Sequence, residues 1–237
     1  GSQEVSDQEQ MEYIEMWIHE VKTPLAAAKL ILENHPSEIT EAMDEALQQI
    51  NYYLEQALYY ARSNSVEKDY LVKELNLKDM VQKAVRSNAR IMISNKIKIS
   101  MNNLDQKIFS DQKWLLFILN QIISNAVKYT ASGGAVTIRI TELDCDRKDY
   151  VRIRTQVIDT GIGMSEEFLP SLFEAFARER NTTDGKIAGT GLGMPIIKKY
   201  IDMMYGTIEV ESKQGEGSKF TVTLEYRIAD KSYYEQD

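Results

Sequence analysis

Two glycine-rich hexapeptides carry the strongest chemical signal in the chain. Asp159-Thr160-Gly161-Ile162-Gly163-Met164 leaves an alternating, strand-like segment, and Gly189-Thr190-Gly191-Leu192-Gly193-Met194 leads into a helical run that starts at Pro195. Glycines at every second position would each cost about 1 kcal/mol inside a helix, so the stretch before Pro195 reads as loop. Backbone amides free of side-chain bulk at a helix start are groups that phosphate oxygens bind. One such hexapeptide is as easily a flexible connector. Two of them, one with an aspartate at a strand end and one entering a helix, point to a nucleotide.

A helical pattern from Asp111 to Tyr129 adds a second signal. Trp114, Leu115, Ile118, Ile122 and Ala126 form its buried stripe, and Gln121, Asn125, and Lys128 or Tyr129 follow along a neighbouring stripe. An amide oxygen, a cation and an aromatic ring therefore share one face. Mg²⁺ prefers hard oxygen ligands and keeps several waters, so one or two side-chain oxygens would serve beside phosphate oxygens. Lys128 can neutralise phosphate charge. Without a nucleotide nearby, the same stripe is simply a solvated polar face.

A third candidate is His19, about 100° around its helix from the apolar seam and so on its flank. Glu20 follows it, and Pro24 cannot donate to the Glu20 carbonyl, which predicts a kink just past the histidine at a cost of about 3 kcal/mol. Isolated exposed histidines are usually inert, and His35 beside Pro36 reads as a turn residue. In the setting of His19, a neutral imidazole is a usable nucleophile that Glu20 can orient or deprotonate.

These groups need elements to position them. At about 150 residues per domain, 237 residues make two modest units or one large one. Apolar residues at 43% and charged residues at 27% exclude wholesale disorder and fibrous repeats. A single cysteine, Cys145, excludes an internal disulfide or a thiolate zinc cluster and fits a reducing, cytoplasmic setting. The net charge of −8, with no long basic run, makes nucleic acid a poor partner. No stretch approaches 18 consecutive apolar residues. Gly1-Ser2 reads as a cloning remnant, so any membrane anchor of the natural protein is expected in a segment missing from this chain.

Ile14, Ile18, Val21, Leu25, Ala28 and Leu32 advance in alternating steps of four and three residues, and so do Met43, Leu47, Ile50, Leu54, Ala57 and Ala61. These are heptad-like helix seams. Asn34-His35-Pro36-Ser37 breaks between them, with Ser37 as a cap, so the helices lie antiparallel. One hairpin buries little, and two copies forming a four-helix bundle is the economical arrangement. After a polar linker the patterns are helical at residues 77–93 and 111–129. They are strand-like at 135–141, 150–159, 207–212 and 218–226, as in helices packed on one face of a mixed sheet. The expected division is a hairpin over residues 8–64, a linker at 65–70, an α/β domain over 71–228 and a polar tail at 229–237.

Five segments carry a family resemblance in order. His19-Glu20-Val21-Lys22-Thr23-Pro24-Leu25, Asn120-Gln121-Ile122-Ile123-Ser124-Asn125-Ala126-Val127-Lys128-Tyr129, Asp159-Thr160-Gly161-Ile162-Gly163, Leu172-Phe173-Glu174-Ala175-Phe176 and Gly189-Thr190-Gly191-Leu192-Gly193 resemble the H, N, G1, F and G2 boxes of bacterial sensor histidine kinases. The match spans about residues 8 to 228. The wording around Trp17-Ile18-His19 and residues 120–125 resembles the subgroup that senses cell-envelope or antibiotic stress.

The resemblance implies an α+β chain: a long antiparallel helical hairpin, forming a dimeric four-helix bundle, followed by an α/β sandwich ATPase domain of the histidine kinase/Hsp90/gyrase type. It implies ATP and Mg²⁺ as cofactors, a homodimer, a cognate response regulator as partner, and a full-length protein anchored in the bacterial cell membrane. His19 would be the phosphoacceptor, Glu20 its acid-base partner, and Thr23 the residue that helps hydrolyse the phosphorylated regulator. Asp159 would bond the adenine amino group, with Gly161 and Gly163 letting the base approach. Asn125 would ligate Mg²⁺, Lys128 would contact phosphate and Tyr129 would lie against the nucleotide. Gly189, Thr190, Gly191, Leu192 and Gly193 would border an ATP lid running roughly from Met164 to Gly193, with Phe173 and Phe176 packing its base. Gln121 departs from the family: many members carry an asparagine there, and the longer arm leaves its part in metal binding open. The alternative is a nucleotide-gated dimeric scaffold without phosphotransfer. A chaperone or DNA-repair ATPase of the same superfamily has no use for the His-Glu-x-x-Thr-Pro helix.

Overall fold

The computed structural model of the chain describes residues 2–35, 37–62, 70–102, 104–179 and 190–228. The chain divides into two units between Asp69 and Tyr70. The expected tail at 229–237, Pro36 in the hairpin turn and all of the expected linker except Tyr70 lie outside the described residues.

The first unit is a hairpin of α1 (Ser2–Glu33) and α2 (Glu38–Arg62). The turn is built from local hydrogen bonds. Ser37 caps α2, its hydroxyl accepting the Thr40 N–H at 3.2 Å while the Thr40 hydroxyl accepts the Ser37 N–H at 2.6 Å. This is a capping box with threonine in place of the usual glutamate. On the seams, Ile18 and Leu54 are buried beside the buried polar Gln56, and Lys22 pairs with Glu55 across the two helices. α1 begins well before Ile14, the first residue of its seam, and runs through Pro24 without interruption. The proline withholds one hydrogen bond from the Glu20 carbonyl, and the turns on either side continue.

The second unit contains β1 (Val72–Asn76), α3 (Leu77–Ser87), α4 (Ala89–Ser94), β2 (Lys98–Met101), β3 (Lys107–Asp111), α5 (Gln112–Tyr129), β4 (Ala135–Leu143), β5 (Tyr150–Asp159), α6 (Gly193–Met203), β6 (Thr207–Lys213) and β7 (Gly217–Arg227). The sheet runs β1-β3-β7-β5-β4-β2, with β6 also on β7. It is mixed: β2 and β4 are parallel and the other pairs antiparallel. Val151, Ile153, Thr155 and Val157 of β5 are buried, as their alternation predicts, and β5 packs against α5, whose buried stripe includes Ile118 and Ile122.

Two sequence expectations need correction. The helical run over residues 77–93 is two helices, because Asn88 ends α3 by donating its side-chain amide to the Ala84 carbonyl at 2.9 Å. Strands β1, β2 and β3 were not expected, since each is only four or five residues long and β1 and β2 are largely exposed. Asp111 joins the pieces at the domain's entry. One carboxylate oxygen caps α5 through the Trp114 N–H at 2.9 Å, and the other accepts the Leu71 N–H at 2.8 Å. Above it Tyr70 meets Trp114 edge-on, and Trp114 stacks on Tyr200 at 4.5 Å.

Candidate active site

In the second unit the end of α5, the turn after β5 and the start of α6 form one surface. The Ile162 N–H donates to the Tyr129 carbonyl at 3.1 Å. A Cβ on Gly161 would stand 2.4 Å from that same carbonyl oxygen and 2.7 Å from Asp159 Oδ1, so only glycine lets the turn cross the end of α5. Gly163 faces the other way, against the Lys213 carbonyl at the β6–β7 turn.

Asp159 is buried, and its Oδ1 accepts the N–H of Gly161 at 2.8 Å and of Ser218 at 3.3 Å. Burial raises its carboxyl above the ordinary carboxylate range, and the two backbone donors oppose that rise. Both hydrogen bonds fall on Oδ1, so the second oxygen is the one suited to an incoming donor.

Along α5, Asn125, Lys128 and Tyr129 are half-buried and Gln121 is buried. Lys128 Nζ lies 5.5 Å from the centre of the Tyr129 ring. Burial, and then the charge of Arg178, lower the Lys128 pKa below the usual lysine range. Burial raises that of Tyr129, with Arg178 pulling it down and Glu179 pushing it up. Arg178 therefore belongs to this site, although it was not among the sequence candidates. The available signal was a cation two residues after the Leu172–Phe176 segment, on a stretch with no periodicity to aim it. Glu179 Oε1 accepts the Ser165 N–H at 3.0 Å, which ties that stretch to the turn after β5.

α6 begins without a side-chain cap, and Pro195 in its first turn has no N–H to offer. Leu192 is buried, its N–H donating to the Thr190 hydroxyl at 3.2 Å. The Gln121 side chain packs directly on Gly193, and Asn125 Nδ2 donates to Met194 Sδ at 3.3 Å. Phe176 stands at the expected base of the lid. Its residue is 66% exposed, and it joins Gly191 through its backbone N–H at 3.0 Å, while Leu172 is the buried apolar residue of that segment. Phe173 is half-buried. Gly189, and the lid residues from 180 to 189, lie outside the described residues.

Asn125 offers a hard amide oxygen whose second lone pair is not used by its neighbour Gln121, which fits a Mg²⁺ ion carried mainly by phosphate oxygens. Among the described residues, no cluster of three or more His, Cys, Asp or Glu side chains is arranged to hold a metal by itself.

In the first unit, His19, Glu20 and Thr23 are exposed on α1, and the Thr23 hydroxyl donates to the His19 carbonyl at 3.2 Å. No described helix is long and apolar enough to cross a membrane.

Residues 110–228 match the family described as histidine kinase-, DNA gyrase B-, and HSP90-like ATPase. Sensor histidine kinase YxdK of Bacillus subtilis is 30% identical over 207 residues, covering 87% of this chain and 62% of the relative. Sensor protein BceS of Halalkalibacterium halodurans is 30% identical over 212 residues, covering 88% of this chain and 60% of the relative. The chain thus spans about 60% of the length of these relatives. Among solved structures, full-length ShkA in complex with AMPPNP aligns with a TM-score of 0.73 at 25% identity, over 92% of this chain and 46% of that one. The Acinetobacter baumannii histidine kinase AdeS shares the fold, with a TM-score of 0.59 over 90% of this chain and 98% of that one, at 18% identity. The chain belongs to the histidine kinase-, DNA gyrase B- and HSP90-like ATPase family, and sensor histidine kinases stand among the relatives it resembles along most of its length.

Proposed function

We propose that this chain autophosphorylates His19 from ATP and passes the phosphoryl group to an aspartate of a response regulator, and that it also helps remove phosphate from that regulator. The observation that carries the reading is the meeting of Asp159, Tyr129, Lys128 and Asn125 with the uncapped start of α6. A buried carboxylate for an amino group, an aromatic wall, a cation and free helix amides are what an adenine nucleotide requires at its two ends.

Asp159 accepts the adenine amino group, and Lys128 and Arg178 neutralise phosphate charge. Asn125 would hold Mg²⁺, with Gln121 beside it, and the ion when bound supplies charge neutralisation at the phosphate oxygens. A ring nitrogen of His19 attacks the γ-phosphorus in line. The bond from phosphorus to the β,γ-bridging oxygen breaks, ADP leaves with that oxygen, and Glu20 takes the proton released from the imidazole. Positioning supplies most of the rate, because the protein forms no other covalent bond.

The same reading assigns residues 8–64 to dimerisation and phosphotransfer, 65–70 to a linker, 71–228 to ATP binding and 229–237 to a tail. It makes the protein a homodimer, and membrane attachment belongs to a segment outside this chain. Incubation with γ-labelled ATP tests it. Label should enter the parent protein and not His19→Ala, with both binding nucleotide equally. Binding without labelling in the parent would leave a nucleotide-gated scaffold.

A further inference from the structure

We infer that Gln121 is the positioning residue of the Asn125 amide and not itself a metal ligand; the inference rests on the nucleotide site proposed above. Gln121 is 7% exposed, and its amide is wedged between α5 and the first turn of α6. A Cβ on Gly193 would lie 2.2 Å from Gln121 Nε2, 2.4 Å from Cδ and 2.8 Å from Oε1. The side chain therefore occupies the space that any other residue at 193 would fill. To swing out to a metal it would have to abandon that contact.

The polarity of the neighbouring groups supplies the function. Gln121 Nε2 donates to Asn125 Oδ1 over a long 3.5 Å, and Asn125 Nδ2 donates to Met194 Sδ at 3.3 Å. An amide NH₂ can only donate and a thioether can only accept. A flipped Asn125 would set two NH₂ groups against each other and a carbonyl oxygen against sulfur. The pair thus fixes which end of the Asn125 amide carries oxygen, and leaves that oxygen one lone pair for a cation. Each bond is weak, so the effect is on orientation more than on fold stability. It also links Asn125 to α6, so one contact set holds the metal-binding side chain and the phosphate-facing helix start together.

The test is Gln121→Glu, studied at mildly alkaline pH where the new carboxyl is ionised. The affinity for a non-hydrolysable ATP analogue is measured by calorimetry with Mg²⁺ and with a chelator. A carboxylate cannot donate, so it favours the flipped Asn125, and the gain in affinity from Mg²⁺ should fall by about tenfold or more, as when partners behind a metal ligand are removed. Metal-free affinity should fall by less than the affinity with Mg²⁺, and an unchanged circular-dichroism spectrum checks that the variant folds. A larger Mg²⁺ gain would mean that position 121 ligates the ion directly, and an unchanged gain would mean that it positions nothing; either overturns the inference. Met194→Leu removes the acceptor on the other side without adding charge and should lower the Mg²⁺ gain in the same way; an unchanged gain there counts equally against the inference. A parent protein that binds no nucleotide under either condition would instead refute the proposed site.

Discussion

The Tyr129 carbonyl oxygen lies 2.4 Å from the point where a Cβ on Gly161 would stand, so the end of α5 and the turn after β5 are built as one surface. Neither neighbour can yield easily, because one is helix backbone and the other is the buried Asp159 carboxylate. Gly161→Ala should push the turn outward and break the Gly161 hydrogen bond to Asp159. Overpacking of this kind costs about 1–3 kcal/mol. The expected result is a lowered melting temperature together with loss of ATP binding by more than about tenfold, a factor equal to about 1.4 kcal/mol. Calorimetric affinity at the parent value would show that the turn plays no part in binding.

Asp159 is held in a form that favours binding over stability. Its folded pKa is raised above the ordinary aspartate value of 3.8, chiefly by burial. Between those two values the folded state holds more protons than the unfolded state, so stability falls as pH rises through the window and the deficit is complete above the folded pKa. Asp159→Asn removes the titration and keeps an oxygen for Gly161 and Ser218. The variant should melt higher than the parent at neutral pH, and the advantage should vanish below about pH 4, where the parent carboxyl is protonated in both states. It should also bind ATP more weakly with or without Mg²⁺. Melting curves against pH check the first part, and a parent that is the more stable protein at neutral pH would contradict it.

The features that were legible in the sequence are local ones. The seam through Ile18 and Leu54, the alternation of β5 and the Ser37 cap each depend on residues close in the chain, and each lies where periodicity or cap chemistry puts it. The contact of Gln121 with Gly193 joins residues on different helices, and nothing in either helix alone announces it. Arg178 acts on Lys128 and Tyr129 from a stretch with no regular pattern. The short strands β1 and β2 expose most of their side chains and so lack the alternation that marks β5. Asn88 interrupts a helical pattern by a side-chain bond that composition alone does not distinguish from an ordinary helical asparagine.

The hairpin should be the dimerisation unit. Trp17, Leu30, Ile31, Ile39 and Met43 are each about half exposed or more, far more apolar surface than an isolated pair of helices leaves in water without a partner. A fragment beginning at Tyr70 should sediment as a monomer and still bind ATP, because its entry is secured by Asp111 and by the stacking of Tyr70, Trp114 and Tyr200. The whole chain should sediment as a dimer at micromolar concentration. A dimeric fragment, or a monomeric whole chain, would place the interface elsewhere.

Thr23 should govern removal of phosphate and not its addition. Its hydroxyl lies one helical turn beyond His19 and donates to the His19 carbonyl at 3.2 Å. That bond spends the hydroxyl proton and leaves the oxygen lone pairs facing outward, ready to accept from a water. A water held there has an acceptor to orient it against an aspartyl phosphate docked beside His19. The competing reading is that the hydroxyl merely bonds back to the helix next to Pro24, where the regular hydrogen-bond ladder has lost a donor. The two differ in outcome. If Thr23 orients water, Thr23→Ala labels His19 from ATP at close to the parent rate but slows dephosphorylation of the phospho-regulator by about a hundredfold, the lower end of what a positioned proton acceptor contributes. Thr23→Ser, which keeps the hydroxyl, should restore most of the rate. A time course with purified phospho-regulator, kinase and ADP reads both. Equal decay for Thr23→Ala and the parent would assign the side chain to the helix alone.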